Sequence, residues 1–207
     1  MKPTEPPLER FSLAERITHW LVAASFVYTA LTGLSMWSPR LYWLAAVFGG
    51  GATVAHWHPW AGVIFAAIFA TMMRRWQQPM RLDHDDRLWL RHSHRFIRHD
   101  EFGLLESGRF NAGQKALFWT QAASGLVLVA TGVVLWWPEW MPRTVRLAAV
   151  LLHPIAAVVS IGGLIVHVYM GTAAVPGALR SMTRGWVSAR WAALHHGKWY
   201  REIRRQP

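Results

Sequence analysis

Two histidines in one long apolar stretch are the residues of this chain that most clearly point to chemistry. The stretch LLHPIAAVVSIGGLIVHVYMG runs from residue 151 to residue 171 and carries His153 and His167. An imidazole inside hydrocarbon is costly, so histidines within a membrane span are candidates for function. Their separation of fourteen positions makes about four helical turns, which places both side chains on one helix face, roughly 21 Å apart.

The composition indicates an integral membrane protein. Of 207 residues, 53% are hydrophobic, 14 are Trp and none is Cys, which excludes disulfides and thiolate-bound iron–sulfur clusters within this chain. Four stretches without charged residues exceed the roughly 20 residues that a spanning helix needs. We therefore predict an all-α fold, a single membrane domain over residues 1–207 built as a four-helix bundle. Its helices are expected near residues 17–37, 53–75, 115–137 and 145–174.

The distribution of basic residues predicts the orientation of the bundle. Residues 1–16, 74–115 and 175–207 hold 19 of the 22 Lys and Arg residues. The positive-inside rule then places both termini, the loop at 76–114 and the tail at 175–207 in the cytoplasm. The net charge of +11 thus reflects topology, and no nucleic acid is expected as a partner. The tail interleaves Trp with Arg and Lys, which is typical of an interfacial amphipathic helix or a docking surface.

Topology alone pairs the histidines at two depths. His19 lies in the first turn of helix one, at the inner level that His167 also occupies. His58 lies near the start of helix two, at the outer level of His153. A bundle of these helices therefore stacks two bis-imidazole sites across the membrane. His56 competes with His58, but it lies about 200° around the helix, so only one of them can face the bundle, with a modest preference for His58.

Two facing imidazoles between apolar helices favour haem b over zinc, since a zinc site usually needs four ligands. A haem with two axial histidines has no open position and carries electrons. Each histidine alone could instead only hydrogen-bond across helices. The span glycines suit either a macrocycle or close helix packing: Gly33, Gly125, Gly132, Gly162 and Gly163. The histidines expected to be solvated are His84, His92, His94, His99, His195 and His196.

Two haems across a bilayer need an electron donor and an acceptor. No cysteine cluster, dinucleotide motif or catalytic residue set is evident, so the donor belongs on another subunit, and a quinone is the natural acceptor within a membrane. The stretch GRFNAGQKALFW leads into helix three from the inner side. There Asn111 and Gln114 can hydrogen-bond a quinone carbonyl, and Gly113 lets a ring approach the backbone. The alternative is that Asn111 caps helix three and Gln114 completes a capping box.

Several ordered motifs carry a family resemblance over nearly the whole chain. They are ERITHW, WHPWAGV, GRFNAGQKALFW, LLHP, VHVYMG and SARWAALHHGKWYREI. With these motifs the chain resembles the cytochrome b (gamma) subunit of membrane-bound respiratory formate dehydrogenases. The resemblance implies a bacterial inner-membrane subunit with two b haems, one held by His58 and His153 and the other by His19 and His167. It thereby selects His58 over His56.

The resemblance also implies a route for the electrons. They arrive from an iron–sulfur beta subunit, which is fed by a molybdenum or tungsten alpha subunit that oxidises formate. They leave to menaquinone or ubiquinone near the inner haem, around Asn111 and Gly113. Similar two-haem cytochromes serve hydrogenases and other quinone-linked oxidoreductases, which remain an alternative. A rival of another class is a haem-free membrane anchor or proton relay.

Overall fold

The computed structural model describes residues 6–91 and 107–205, and within these ranges the chain is almost entirely helical. Four long helices dominate: α1 (Leu13–Trp37), α3 (Gly51–Trp76), α5 (Ala112–Trp136) and α6 (Arg143–Tyr169). One turn of π-helix, Met170–Ala174, continues α6. The all-α class is as predicted, and each long helix lies within a few residues of its predicted range.

Shorter elements connect the long helices or follow them. They are the 3₁₀ turns Pro39–Leu41 and Pro138–Trp140, and the helices α2 (Leu44–Val47), α4 (His84–Arg91), α7 (Ala178–Arg184), α8 (Ala189–His195) and α9 (Gly197–Arg204). The α4 helix agrees with the expected short surface helices of the loop at 76–114. The part of that loop at 92–106, with His92, His94 and His99, lies outside the described residues.

Three helices of the described chain are long and apolar enough to cross a membrane: Leu13–Trp37, Ala112–Trp136 and Arg143–Ala174. The fourth predicted span, α3, is 26 residues long. Its mean hydropathy is lower because His56, His58 and Pro59 fall near its start and two arginines lie at its end. The two histidines and the proline lower the hydropathy of α3 at its start, which is the end where the sequence predicts a histidine ligand.

The chain divides into two compact units, which we call the span unit (residues 17–75 and 120–166) and the tail unit (residues 1–16, 76–119 and 167–207). Within the span unit, polar and aromatic contacts join the helices. The Gln121 side-chain amide donates to the Ser160 carbonyl at 2.9 Å, and the Ser160 hydroxyl donates to that of Ser124 at 2.7 Å. The ring centres of Phe26 in α1 and Phe65 in α3 are 5.7 Å apart. Buried hydroxyl groups are thereby hydrogen-bonded inside an apolar bundle, as they must be.

The tail folds as several short elements instead of one amphipathic helix. Gly185 adopts φ +88°, a left-handed conformation that ends α7 and that other residues rarely adopt. The next residues, Trp186–Val187, pair antiparallel with Leu8–Glu9. A small core then forms around Val187, Ala192 and Trp199. The sequence pattern missed this arrangement because it depends on pairing with the far end of the chain.

Arg10 is a buried cation of this tail unit. Its side chain is 3% exposed, and its guanidinium lies 4.8 Å from the Trp191 ring centre, a cation–π contact. One Nη donates to the Arg109 carbonyl at 3.2 Å. Burial, and secondarily the charge of Arg109, lower the pKa of Arg10 to about 9. The amino-terminal arm is therefore held against the tail by an arginine whose charge is stabilised mainly by aromatic faces.

His196 corrects one sequence-based expectation. It was expected to be solvated, yet it is 3% exposed, and its Nδ1 lies 2.7 Å from the Gly108 carbonyl oxygen, to which it donates. Burial, followed by the charge of Arg10, lowers the pKa of His196 to about 3, so this imidazole is neutral at physiological pH. His84, by contrast, is highly exposed, as expected.

Candidate functional site

Within the span unit, His58 of α3 and His153 of α6 face each other. Their ring centres are 6.4 Å apart, and the two ring planes are inclined by 74°. Both residues are half-buried. The structure thus brings together the two histidines that the sequence assigned to the outer level.

This separation fits a shared metal centre. Two metal–nitrogen bonds of about 2 Å each, with roughly 1 Å more from each nitrogen to its ring centre, put the centres of two axial imidazoles ~6 Å apart. The donor set consists of two neutral nitrogens and no carboxylate or thiolate, which suits a haem iron better than zinc. The two residues present therefore fit the axial positions of one haem.

Each of these histidines has a threonine partner. The Thr32 hydroxyl lies 2.9 Å from His58 Nδ1, and the Thr131 hydroxyl lies 2.8 Å from His153 Nδ1. Thr32 is fully buried and Thr131 is 8% exposed. Because Nδ1 of each ring is engaged, Nε2 is the nitrogen that each histidine offers to a ligand between them.

A glycine beside each threonine makes room for the imidazole. A Cβ atom at Gly33 would lie 3.1 Å from His58 Cε1, and one at Gly132 would lie 3.6 Å from His153 Cε1. These two glycines therefore admit histidine rings. Gly125 differs, since its Cβ would lie 3.1 Å from Phe69, which makes it a helix-packing glycine, while a Cβ at Gly162 would meet nothing within 4 Å.

Sequence reasoning missed the threonines, although one signal was available. Thr32-Gly33 and Thr131-Gly132 are identical dipeptides in two spans, just as His58-Pro59 and His153-Pro154 are identical dipeptides in the other two. The site thus contains Thr, Gly, His and Pro twice. The Thr-Gly and His-Pro dipeptides are farther apart along the chain in one copy than in the other, so the two copies do not form a regular sequence repeat.

The neighbouring His56 occupies a different environment from His58. It is exposed, and its ring packs edge-on against Trp57 at 5.1 Å. On one helix, two positions two residues apart point in nearly opposite directions. The structure therefore places His58, and not His56, beside His153.

The two histidines that the sequence assigns to the inner level belong to different units of the structure. His19 lies in α1, in the span unit, half-buried with its ring edge-on to Trp20 at 5.3 Å. His167 lies near the C-terminal end of α6, just before the π-helical turn, and belongs to the tail unit. Their pairing stays a prediction from the sequence.

The candidate quinone residues form a capping box at the start of α5. The Asn111 side-chain oxygen accepts from the Gln114 N–H at 2.8 Å, and the Gln114 side-chain oxygen accepts from the Asn111 N–H at 3.0 Å. The capping box, which the sequence analysis offered as the alternative to a quinone contact, is therefore present in the structure. A Cβ at Gly113 would meet Asn111 at 3.5 Å and Trp89 at 3.8 Å, so this glycine borders the Trp89 ring.

Two ion pairs fix the chain around this capping box. Just before it, Arg109 donates to both carboxylate oxygens of Glu15, at 2.9 and 3.0 Å. Just after it, Lys115 donates to Asp86, and these two side chains are about 90% buried. At Asp83, 3.8 Å from Lys115, desolvation alone would raise the pKa, but the Asp86 N–H and the Lys115 charge lower it. The candidate quinone stretch is therefore held by charge on both sides.

The comparison with known families identifies this arrangement. The family model described as prokaryotic cytochrome b561 matches residues 10–185, which include all four predicted haem ligands. The chain belongs to the prokaryotic cytochrome b561 family. The resemblance seen in the sequence is confirmed, and this cytochrome is accordingly an integral membrane protein of a haem b-binding family.

Curated relatives are similar to the cytochrome over 90% or more of this chain. It is 34% identical over 199 residues to the cytochrome b556(fdo) subunit of formate dehydrogenase from Escherichia coli K12, covering 95% of this chain and 93% of that one. It is 34% identical over 197 residues to the cytochrome b556(Fdn) subunit of the nitrate-inducible formate dehydrogenase from that strain, covering 94% and 90%. The cytochrome b556 subunit of formate dehydrogenase from Haemophilus influenzae is 32% identical over 192 residues, covering 90% and 79%.

Proposed function

We propose that this cytochrome is the membrane subunit of a formate dehydrogenase complex, and that it passes electrons from an iron–sulfur subunit through two b haems to quinone. One observation carries the proposal. His58 and His153 face each other with ring centres 6.4 Å apart, inside a unit of apolar helices. The curated relatives, which are cytochrome b556 subunits of formate dehydrogenases, supply the identity of the complex.

His58 and His153 would hold the outer haem through their Nε2 atoms, and His19 and His167 would hold the inner one. The second pairing rests on the depth argument from the sequence and on the family. A bis-histidine haem supplies reversible one-electron transfer and has no open position for substrate. The protein's part is to hold the ring nitrogens in place, exclude water, and keep both sites inside one four-helix bundle.

The quinone would bind around Asn111, Gly113 and Gln114. In the capping box, the side-chain oxygens of Asn111 and Gln114 each accept a backbone N–H of the other residue. The amide NH₂ group of either residue is then the donor available to a quinone carbonyl. One residue can therefore serve both as a helix cap and as a quinone contact.

The orientation follows from the charge distribution. With 19 of 22 Lys and Arg residues on one side, both termini and the quinone stretch face the cytoplasm of a bacterial inner membrane. The iron–sulfur subunit, with its molybdenum or tungsten catalytic partner, would then dock on the opposite side. Protons for the quinone come from the cytoplasm, so turnover would generate proton-motive force.

A reduced-minus-oxidised absorbance spectrum of the purified chain tests the haem assignment. We expect a b-type alpha band and two haems per chain, because four axial histidines are available. Absence of haem would overturn the proposal and favour the membrane-anchor alternative. Subunits that co-purify then distinguish a formate dehydrogenase from a hydrogenase.

Replacing Asn111 by Ser separates the cap from the quinone contact. Serine is an equally good N-cap, so helix α5 and both haems should persist. Loss of the amide donor should raise the quinone KM about three- to tenfold, the effect of one hydrogen bond of roughly 1 kcal/mol. The measurement compares formate-to-quinone with formate-to-dye rates. Asn111→Ala, which removes cap and donor together, is the matched variant, and unchanged quinone kinetics in Asn111→Ser would exclude the contact.

A further inference from the structure

We infer that Thr32 and Thr131 are a matched pair of positioning residues that fix the tautomer and the orientation of the outer haem ligands. The inference rests on the proposed haem function, and it concerns residues to which the sequence pattern assigned no role. Each threonine lies within hydrogen-bond distance of one histidine Nδ1, at 2.9 and 2.8 Å. Each histidine comes from a different helix, and so does each threonine.

Iron binding at Nε2 would determine the direction of these hydrogen bonds. The Thr32 hydroxyl lies 2.8 Å from the Tyr28 carbonyl oxygen, and the Thr131 hydroxyl lies 2.6 Å from the Val127 carbonyl oxygen. If Nε2 of each histidine binds iron, the ring proton must be on Nδ1, and Nδ1 then donates to the threonine oxygen. Each hydroxyl would in turn donate its own proton to the carbonyl of its helix, which can only accept. The threonines would thereby hold each histidine in the tautomer that offers the Nε2 lone pair to iron.

Burial makes the threonine oxygens acceptors for these N–H groups, and the Leu128 backbone, three residues before Thr131, is a second hydrogen-bond partner of the His153 ring. Thr32 is fully buried and Thr131 is 8% exposed. Gly33 and Gly132 complete each cradle: a Cβ at Gly33 would press on His58 Cε1 at 3.1 Å, and a Cβ at Gly132 would be in van der Waals contact with His153 Cε1 at 3.6 Å. The ring is thus fixed by a hydrogen bond at Nδ1 and by close packing at Cε1, with Nε2 left for the metal.

A ligand histidine that donates its second N–H is more basic and stabilises the oxidised metal. Thr32 and Thr131 should therefore lower the potential of the same haem, one through each axial ligand. This prediction distinguishes the pair from threonines that only stabilise helices. A purely structural role would not shift one potential selectively.

The experiment uses Thr32→Val, which keeps the side-chain shape and removes the hydroxyl. We expect two haems per chain, with one of the two midpoint potentials shifted to a more positive value and the other unchanged. Thr131→Val should shift the same midpoint in the same direction, while Thr32→Ser should restore it. The measurement is a redox titration of the purified chain followed at the alpha band.

Thr29 provides the matched control on the same helix. Its hydroxyl donates to the Ser25 and Phe26 carbonyls, at 2.9 and 3.0 Å, as Thr32 does to its own helix. Thr29→Val should leave both midpoints unchanged. Equal shifts or equal haem loss in Thr29→Val and Thr32→Val would overturn the inference, as would unchanged midpoints in Thr32→Val. If Thr32→Val loses one haem that Thr32→Ser and Thr29→Val keep, the positioning role is supported. A wild-type chain without haem would instead refute the proposed function itself.

Discussion

A His153→Ala variant is expected to hold one b haem instead of two and to reduce quinone only at background rate. His153 faces His58 at 6.4 Å between ring centres, so its removal would leave the proposed outer haem with one axial ligand. On the proposed function, electrons arriving from an iron–sulfur subunit would then lack the first of two carriers across the bilayer. Formate oxidation with an artificial dye should continue, because in the proposed complex the formate-oxidising site would lie on another subunit. Haem per chain and the ratio of the two rates measure the effect.

His56→Ala is the control, since His56 is exposed and belongs to the same helix as His58. It should keep both haems and full quinone reduction. His167→Ala should remove the other haem and likewise abolish quinone reduction, with the dye reaction preserved. Two haems and normal quinone reduction in His153→Ala would show that the facing imidazoles do not hold the outer haem.

The second large effect is expected from Lys115→Met. Lys115 and Asp86 form an ion pair in which both side chains are about 90% buried. Removing one partner of such a pair leaves an uncompensated buried charge and costs about 3–5 kcal/mol. We expect the thermal midpoint of the purified chain to fall by roughly 10 °C, at ~2–4 °C per kcal/mol for a protein of this size. Tryptophan fluorescence during heating gives the midpoint.

The double variant Lys115→Met with Asp86→Asn also removes the negative charge of Asp86, so the pair leaves no uncompensated buried charge. The introduced side-chain amide can still accept a hydrogen bond from the backbone, as the Asp86 carboxylate accepts from the Asp83 N–H at 2.9 Å. We expect most of the lost stability to return. A double variant no more stable than Lys115→Met alone would indicate that packing, and not charge, accounts for the loss.

The sequence predicted the long helices from their apolar runs, and the outer pairing from the alternating direction of the spans and the depth of each histidine. Apolar runs with few charges mark α1, α5 and α6, and the fixed rotation of a helix puts His58 and His56 on opposite sides. The capping box of Asn111 and Gln114 was likewise readable, since it needs only two residues three apart.

Other features could not be predicted because they depend on distant parts of the chain. Threonine is common in spans, where its hydroxyl usually bonds to its own helix, so Thr32 by itself carried no signal, and only the recurrence of the Thr-Gly dipeptide pointed to it. His196 stands in a basic, polar segment that favours exposure, yet Gly108 and Arg10 enclose it. The inner pairing of His19 and His167 stays a prediction from depth alone.

The strand pair between Leu8–Glu9 and Trp186–Val187 has a consequence for biosynthesis. The ribosome finishes residues 8 and 9 long before residue 187 exists, so the amino-terminal arm has no strand partner while the long helices are being made. The arm can close only after residues 186 and 187 have left the exit tunnel. This pairing, together with the Arg10 contact to Trp191, therefore forms after all four long helices have been synthesised.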